Sequence, residues 1–323
     1  MIKLKRSLSC LLGLSMTALS ASNAIAQDYP SKSVDVLVAF APGGGTDVAA
    51  RTIEPYIEKY LGEDLVIVNK PGAGGEVGFS LLANSDHDGY TMGFINLPAM
   101  YSYSYERKTS YSPESFTGVA NLVYDPGVIV VRSDSKLKTL KDLVNYGKEH
   151  PGSLPIGTSG SVGSSEHIAI LSVEAATGAK FNHVPFGSTA PLRTALLGGH
   201  IQVAAFNLSE ADEYVADGSM RLLGVMSEER SEMAPDTPTF KEQGVNVISG
   251  TSRGLAVPAG TDPKIVKILS EAVHKAMNDP EYLAKAKAAG VPVHYLGGKD
   301  YENFLKSVSK SLDAAWAATP WTK

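Results

Sequence analysis

Short apolar runs alternate with amphipathic stretches along most of the chain. Val34-Asp35-Val36-Leu37-Val38-Ala39-Phe40 is apolar towards its end, as a strand buried on both faces would be. Ala41-Pro42-Gly43-Gly44-Gly45 breaks that run. From Thr46 or Asp47 the period changes: Ala49, Ile53, Tyr56, Ile57, Tyr60 and Leu61 follow i, i+4, i+7, i+8 spacing and predict a helix ending at Gly62. Pro55 lies inside it, so a kink is expected there.

The alternation continues. Strands are predicted at 65–68, 91–95, 128–131, 155–158, 201–206, 221–226 and 255–257, with helices at 79–84, 140–150, 164–177 and 191–197. The last part is helical, at 263–277, 280–289 and 301–316, opened by Asp262 as a cap and Pro263 in the first turn. Strand–helix alternation predicts parallel α/β sheets, and 323 residues is length enough for two. A turn at Asp125-Pro126-Gly127 and the stretch 249–254 are the expected crossing points. They divide the chain into lobe 1 (27–126 plus 251–323) and lobe 2 (127–250).

The first 26 residues stand apart. Lys3, Lys5 and Arg6 precede a short apolar run, and Ala24-Ile25-Ala26 has the small-residue spacing of a cleavage site. This order predicts a secretory signal peptide over 1–26, and the run is too short to span a membrane. The sole cysteine, Cys10, lies within it, which leaves no thiol chemistry or disulfide afterwards. Beyond it, 26 Lys and Arg face 34 Asp and Glu, so an exported acidic protein is expected and nucleic acid is not an expected partner. Nothing calls for an oligomer, and a monomer is expected.

The chemistry to look for lies at strand–glycine–helix junctions. Phe40 to Asp47, with Gly43, Gly44, Gly45 and Thr46, ends a strand and opens a helix; Gly157 to Ser165 does the same with Ser159, Gly160, Ser161, Ser164 and Ser165. A helix start presents unpaired N–H groups and the positive end of its dipole, which suits an anion. The same residues also serve as tight turns with serine caps, and both readings stand. No P-loop is present, and Gly72-Ala73-Gly74-Gly75-Glu76-Val77-Gly78 lacks a dinucleotide fingerprint's third glycine at Val77, so no cofactor is expected. The histidines show no metal-binding spacing.

An enzyme alternative is an exported serine hydrolase. Ser159-Gly160-Ser161-Val162-Gly163 narrowly misses the nucleophile-elbow pattern, with His274 or His294 as the partner base. Arg253 precedes a strand near a crossing point, where its guanidinium suits either a ligand carboxylate or a structural ion pair. Tyr101, Tyr103, Tyr105 and Tyr111 suit packing or a ligand mouth.

In order, Phe40-Ala41-Pro42-Gly43-Gly44-Gly45-Thr46-Asp47, Asn69-Lys70-Pro71-Gly72-Ala73-Gly74-Gly75, Asp88-Gly89-Tyr90-Thr91, His183-Val184-Pro185-Phe186, Leu196-Leu197-Gly198-Gly199-His200 and Val257-Pro258-Ala259-Gly260-Thr261 resemble the periplasmic substrate-binding proteins of tripartite tricarboxylate transporters, the Bug or TctC family. The resemblance implies a type II periplasmic-binding-protein fold: two α/β lobes closing on a small organic carboxylate, which is passed to inner-membrane permease subunits driven by an ion gradient. It implies main-chain N–H groups and waters at the two glycine loops as the carboxylate anchor. Serine hydroxyls would add donors, Asn96 and Asn207 would orient the ligand, and Phe40 would pack on its body. Ser252-Arg253-Gly254 resembles the tricarboxylate-binding branch, which makes Arg253 the expected holder of a distal carboxylate in a di- or tricarboxylate, aromatic bodies included. Phe206 departs from the Asp that many members carry. A binding protein serving a sensor is a further alternative.

Overall fold

The computed structural model describes residues 29–318 together with Pro320 and Trp321. The signal-peptide expectation, with Cys10, lies outside them. Two sheets share one long strand. The first runs β2 (Leu65–Asn69), β1 (Val34–Val38), β3 (Thr91–Leu97), β9 (Gly250–Pro258) and then β4 (Phe116–Arg132), which also carries β10 (Val293–Gly297). The second continues from β4 through β7 (Val203–Asn207), β5 (Pro155–Thr158) and β6 (Asn182–Pro185), with β8 (Met220–Val225) on β4. β1 is parallel to β2 and β3, and β5 to β6 and β7. Every pairing with β4 or β9 is antiparallel.

The expected turn at Asp125-Pro126-Gly127 is absent. Those residues continue β4, and there the strand changes partner: Pro126 is opposite Gly250 on β9, whereas Gly127 is opposite Asn207 on β7. Proline ends donation to one ladder, and Gly127 N–H donates to the Ser249 carbonyl at 2.8 Å. A Cβ on Gly250 would stand 2.6 Å from the Asp125 carbonyl oxygen, so only glycine lets the two crossing strands lie this close.

Burial on both faces explains the apolar strands. Val34, Val36 and Val38 of β1 enter one core and Leu37 the opposite one. On β4, Val128 and Val130 face one core of the second sheet while Ile129 and Val131 face the other. Phe206 belongs to the first of these and is fully buried, so packing occupies that position.

α1 (Gly45–Leu61), α5 (Ser165–Thr177) and α8 (Pro263–Met277) lie within a residue or two of expectation, and α1 continues through Pro55. α4 (Leu140–Glu149), α6 (Thr189–Leu197), α9 (Pro280–Ala288) and α10 (Gly298–Ala318) also lie where their periods place them. The short helix after the glycine loop, α2 (Glu76–Ala83), starts earlier than its apolar positions suggest. α3 (Ala99–Glu106), α7 (Leu208–Ala216), β6 and β10 are too short or too mixed to show a period.

Candidate functional site

Gly44 caps α1 without a side-chain partner, so the first-turn N–H groups of Gly45 and Thr46 are left for an outside acceptor. Gly43 makes the preceding turn in the left-handed region, at φ 78°. Its N–H donates to Asp47 Oδ2 at 2.8 Å. The Asp47 carboxylate also accepts from Arg51 Nε at 3.0 Å and Asn69 Nδ2 at 2.9 Å. Burial opposes its charge, but these three donors outweigh burial and hold its pKa below the usual range. Asp47 is outside the cavity wall; this predicted site residue fixes the loop and does not face a ligand.

On the second sheet, Ser164 caps α5 by accepting from His167 N–H at 3.3 Å. His167 Nδ1 accepts from Gly163 N–H at 3.0 Å, and its ring stacks on His183 at 4.1 Å. His183 Nε2 lies 2.7 Å from the Thr158 hydroxyl. Burial pushes His167 down to about 3, helped by the neighbouring His183, and burial alone pushes His183 down to about 4. Both rings are therefore neutral props under the loop. Neither serves Ser161, whose Oγ donates to the Val162 carbonyl at 3.2 Å and the Tyr103 hydroxyl at 3.3 Å. His274 and His294, the hydrolase candidates, lie beside Asn278 and Asn121 instead.

Both helix starts open on one cavity of about 650 Å³, a volume typical of small-ligand sites. Phe40, Gly43, Gly44, Gly45, Thr46, Asn96, Ser159, Gly160, Ser161, Ser164, Ser165, Asn207 and Arg253 all line it, so every predicted site residue except Asp47 converges. Phe40 stands at the wall edge-on to Phe79, at 6.2 Å and 75°. The hydroxyls are less free than expected. Ser159 Oγ donates to Glu166 Oε1 at 2.8 Å, and Ser165 Oγ lies 2.7 Å from Thr251 Oγ1. Thr251 Oγ1 donates to Asn207 Oδ1 at 2.8 Å, and Asn207 Nδ2 to Glu166 Oε1 at 3.3 Å. This chain of bonds ties β9 to the starts of α5 and α7.

Arg253 differs most from expectation. It is 2% exposed, and its Nη1 donates to Asp125 Oδ2 at 2.7 Å. Nη2 lies 3.8 Å from Glu210 Oε1. Asp125 also accepts from Ser209 N–H at 3.1 Å. The guanidinium is thus the counter-ion of two carboxylates of the protein, the structural ion pair that the sequence left open. Burial, offset by Arg253 and reinforced by Glu166 and Asp125, pushes the Glu210 carboxyl up to about 7.

Of the tyrosine cluster, Tyr103 alone reaches the cavity wall. Tyr103 donates to the Gly74 carbonyl at 2.8 Å and receives Ser161, joining the second glycine loop to the first wall. Tyr101 and Tyr111 are core residues of the first sheet, so packing explains most of the tyrosine cluster. Glu166, Glu210, Arg193 and Thr251 are brought in by the fold; a first-turn acid on a glycine-led helix was the only available hint for Glu166.

Among the described residues no helix is long and apolar enough to cross a membrane. The family model described as "tripartite tricarboxylate transporter family receptor" matches residues 49–315. Protein BugT of Bordetella pertussis is 30% identical over 85% of this chain and 85% of its own. A TctC solute-binding protein from Polaromonas is 32% identical, superposes with a TM-score of 0.71, and covers 90% of this chain and 99% of its own. MatC from Rhodopseudomonas palustris, solved with bound malate, is 26% identical with a TM-score of 0.78, covering 89% of this chain and 99% of its own. Two α/β lobes, paired helix starts on one cavity and these matches together place the chain in the tripartite tricarboxylate transporter receptor family, the TctC or Bug solute-binding proteins.

Proposed function

We propose that this protein is a periplasmic receptor, exported by its leader, that captures a small organic carboxylate between lobe 1 (27–126 plus 251–323) and lobe 2 (127–250). It releases the ligand to the membrane permease subunits of an ion-gradient-driven tripartite transporter and performs no chemistry on it. The carrying observation is that α1 and α5, on different sheets, open on the same cavity. An anion between them meets unpaired N–H groups and two positive dipole ends, a local field that the acidic net charge does not cancel. The malate held by MatC supports the ligand class. Arg253 is left out of the anchor because Asp125 engages it.

The test is thermal unfolding of the leaderless protein, refolded to strip retained ligand, against citrate, C4 and C5 dicarboxylates, aromatic carboxylates and amino acids. A ligand at 100 times its Kd adds about 2.7 kcal/mol, which raises the midpoint by a few degrees. No shift with any carboxylate would remove this reading. Ester turnover abolished by Ser161→Ala would replace it with the hydrolase.

A further inference from the structure

Buried charge on the cavity wall is out of balance. Asp125 on β4, Glu166 at the start of α5 and Glu210 on α7 surround one guanidinium, Arg253 on β9. Asp125, Glu166 and Arg253 are buried, and the Glu210 side chain is only 10% exposed. The guanidinium is unequally shared: Nη1 donates to Asp125 Oδ2 at 2.7 Å, whereas Nη2 stays 3.8 Å from Glu210 Oε1. One neutral amide bridges the other two acids, with Asn207 Nδ2 3.3 Å from Glu166 Oε1 and 3.4 Å from Glu210 Oε2. Arg193 of α6 does not make up the difference, because it lies over the Tyr214 ring at 4.6 Å and reaches Glu210 only at the main-chain carbonyl. The α1 start and residues 289–292, which line the recess beside Glu210, bring no titratable side chain to it. Three acids therefore share one cation in the wall of an anion site, and a ligand carboxylate adds to the surplus.

Glu210 is where that surplus can be relieved. Burial holds its carboxyl up at about 7, because Arg253 offsets only part of the cost while Glu166 and Asp125 add to it. The neutral form also fits in place. Oε2 accepts from Asn207 N–H at 3.1 Å, which leaves Oε1 facing the Thr189 hydroxyl at 3.0 Å. A hydroxyl accepts as well as donates, so a proton on Oε1 reverses that bond without moving either side chain. Glu210 lines the same cavity as Gly45 and Thr46 of the α1 start. A ligand carboxylate about 7 Å from Glu210, at an effective dielectric of about 20, raises its proton affinity about fiftyfold. At neutral pH that takes the group from half protonated to almost fully protonated.

We propose that the cavity captures its carboxylate together with a proton, which Glu210 takes up on Oε1 and holds in a hydrogen bond to Thr189. This rests on the reading of the cavity as a carboxylate receptor site, and adds a proton-binding site beside the first. The coupling is reciprocal: bound carboxylate raises the proton affinity of Glu210, and protonated Glu210 raises the affinity for carboxylate. Affinity is therefore greatest below pH 7 and falls as the pH rises beyond it.

Calorimetric titration of the refolded leaderless protein tests it, with malate, adipate, benzoate and any other carboxylate that raises the unfolding midpoint; protonation of the free ligand is subtracted. Triethanolamine and Tris differ in ionisation enthalpy, so at about pH 7.5 the heats in the two buffers should differ by that of about half a proton taken up per ligand. From about pH 6.5 to 8.5, at constant ionic strength, the Kd should rise by about fivefold or more. Glu210→Gln, which keeps a neutral group in the same place, should abolish both effects and bind at the upper pH about fivefold tighter than wild type. Circular dichroism checks that the variant folds, and the wild-type proton count decides the coupling without it. A bound carboxylate with no proton uptake, or a pH dependence that survives Glu210→Gln, would overturn the proposal while leaving the carboxylate receptor intact. Binding of no carboxylate at any pH would overturn both.

Discussion

Arg253→Ala separates a buried counter-ion from a ligand anchor. Arg253 and Asp125 are 2% and 0% exposed and 2.7 Å apart. At an effective dielectric of 20 their direct attraction is about 6 kcal/mol. Most of it offsets the cost of removing both charges from water, but deleting one partner strands the other, which typically costs about 3–5 kcal/mol. The stranded group here keeps only Ser209, whose N–H and hydroxyl donate to the two Asp125 oxygens. Urea unfolding of Arg253→Ala should therefore lose about 3–5 kcal/mol, read as a lower midpoint with the slope unchanged. Asp125→Asn in the same background should recover at least about 2 kcal/mol, because it removes the stranded charge. A single-variant loss under about 1 kcal/mol, or two losses that simply add, would refute the ion-pair reasoning and return Arg253 to the ligand.

Glu210 is pushed up to about 7 against an ordinary 4.5, so its contribution to stability is fully present below pH 4.5 and is lost as pH rises through 7. Glu210→Gln should flatten that part of the stability–pH curve, a difference of up to about 3 kcal/mol between wild type and variant across the window; parallel curves would contradict it. Tyr103→Phe removes the bonds to the Gly74 carbonyl and Ser161 and should cost about 1 kcal/mol, with faster ligand release in stopped flow. In Gly45→Ala the new Cβ would stand 2.8 Å from Arg253 Nη2, which Asp125 keeps from retreating, so a loss of about 1–3 kcal/mol and weaker ligand binding are expected. Wild-type affinity in that variant would show that the guanidinium moves freely.

Much was legible from the sequence because it is written locally. A strand buried on both faces must be apolar, a helix against a sheet must repeat near 3.6, and a glycine run between them must be a tight junction. Those rules placed β1, α1, β5 and α5, and with them both helix starts that open on the cavity. The resemblance puts its carboxylate anchor at the same two junctions that the pattern picks out, and thirteen of the fourteen predicted site residues line the cavity.

Only the tertiary structure decided the pairing of charges. Asp125 and Arg253 are 128 residues apart in the chain, and Glu166 and Asn207 are 41 apart. No local period records such distances; they arise because β4 and β9 cross between the sheets in one fixed register. That register puts Arg253 on Asp125 and sets Thr251 of β9 on Asn207. The residue types in the cavity follow from the sequence. Whether each presents a charge, a proton or a spent hydrogen bond to a ligand follows from neighbours that only folding supplies.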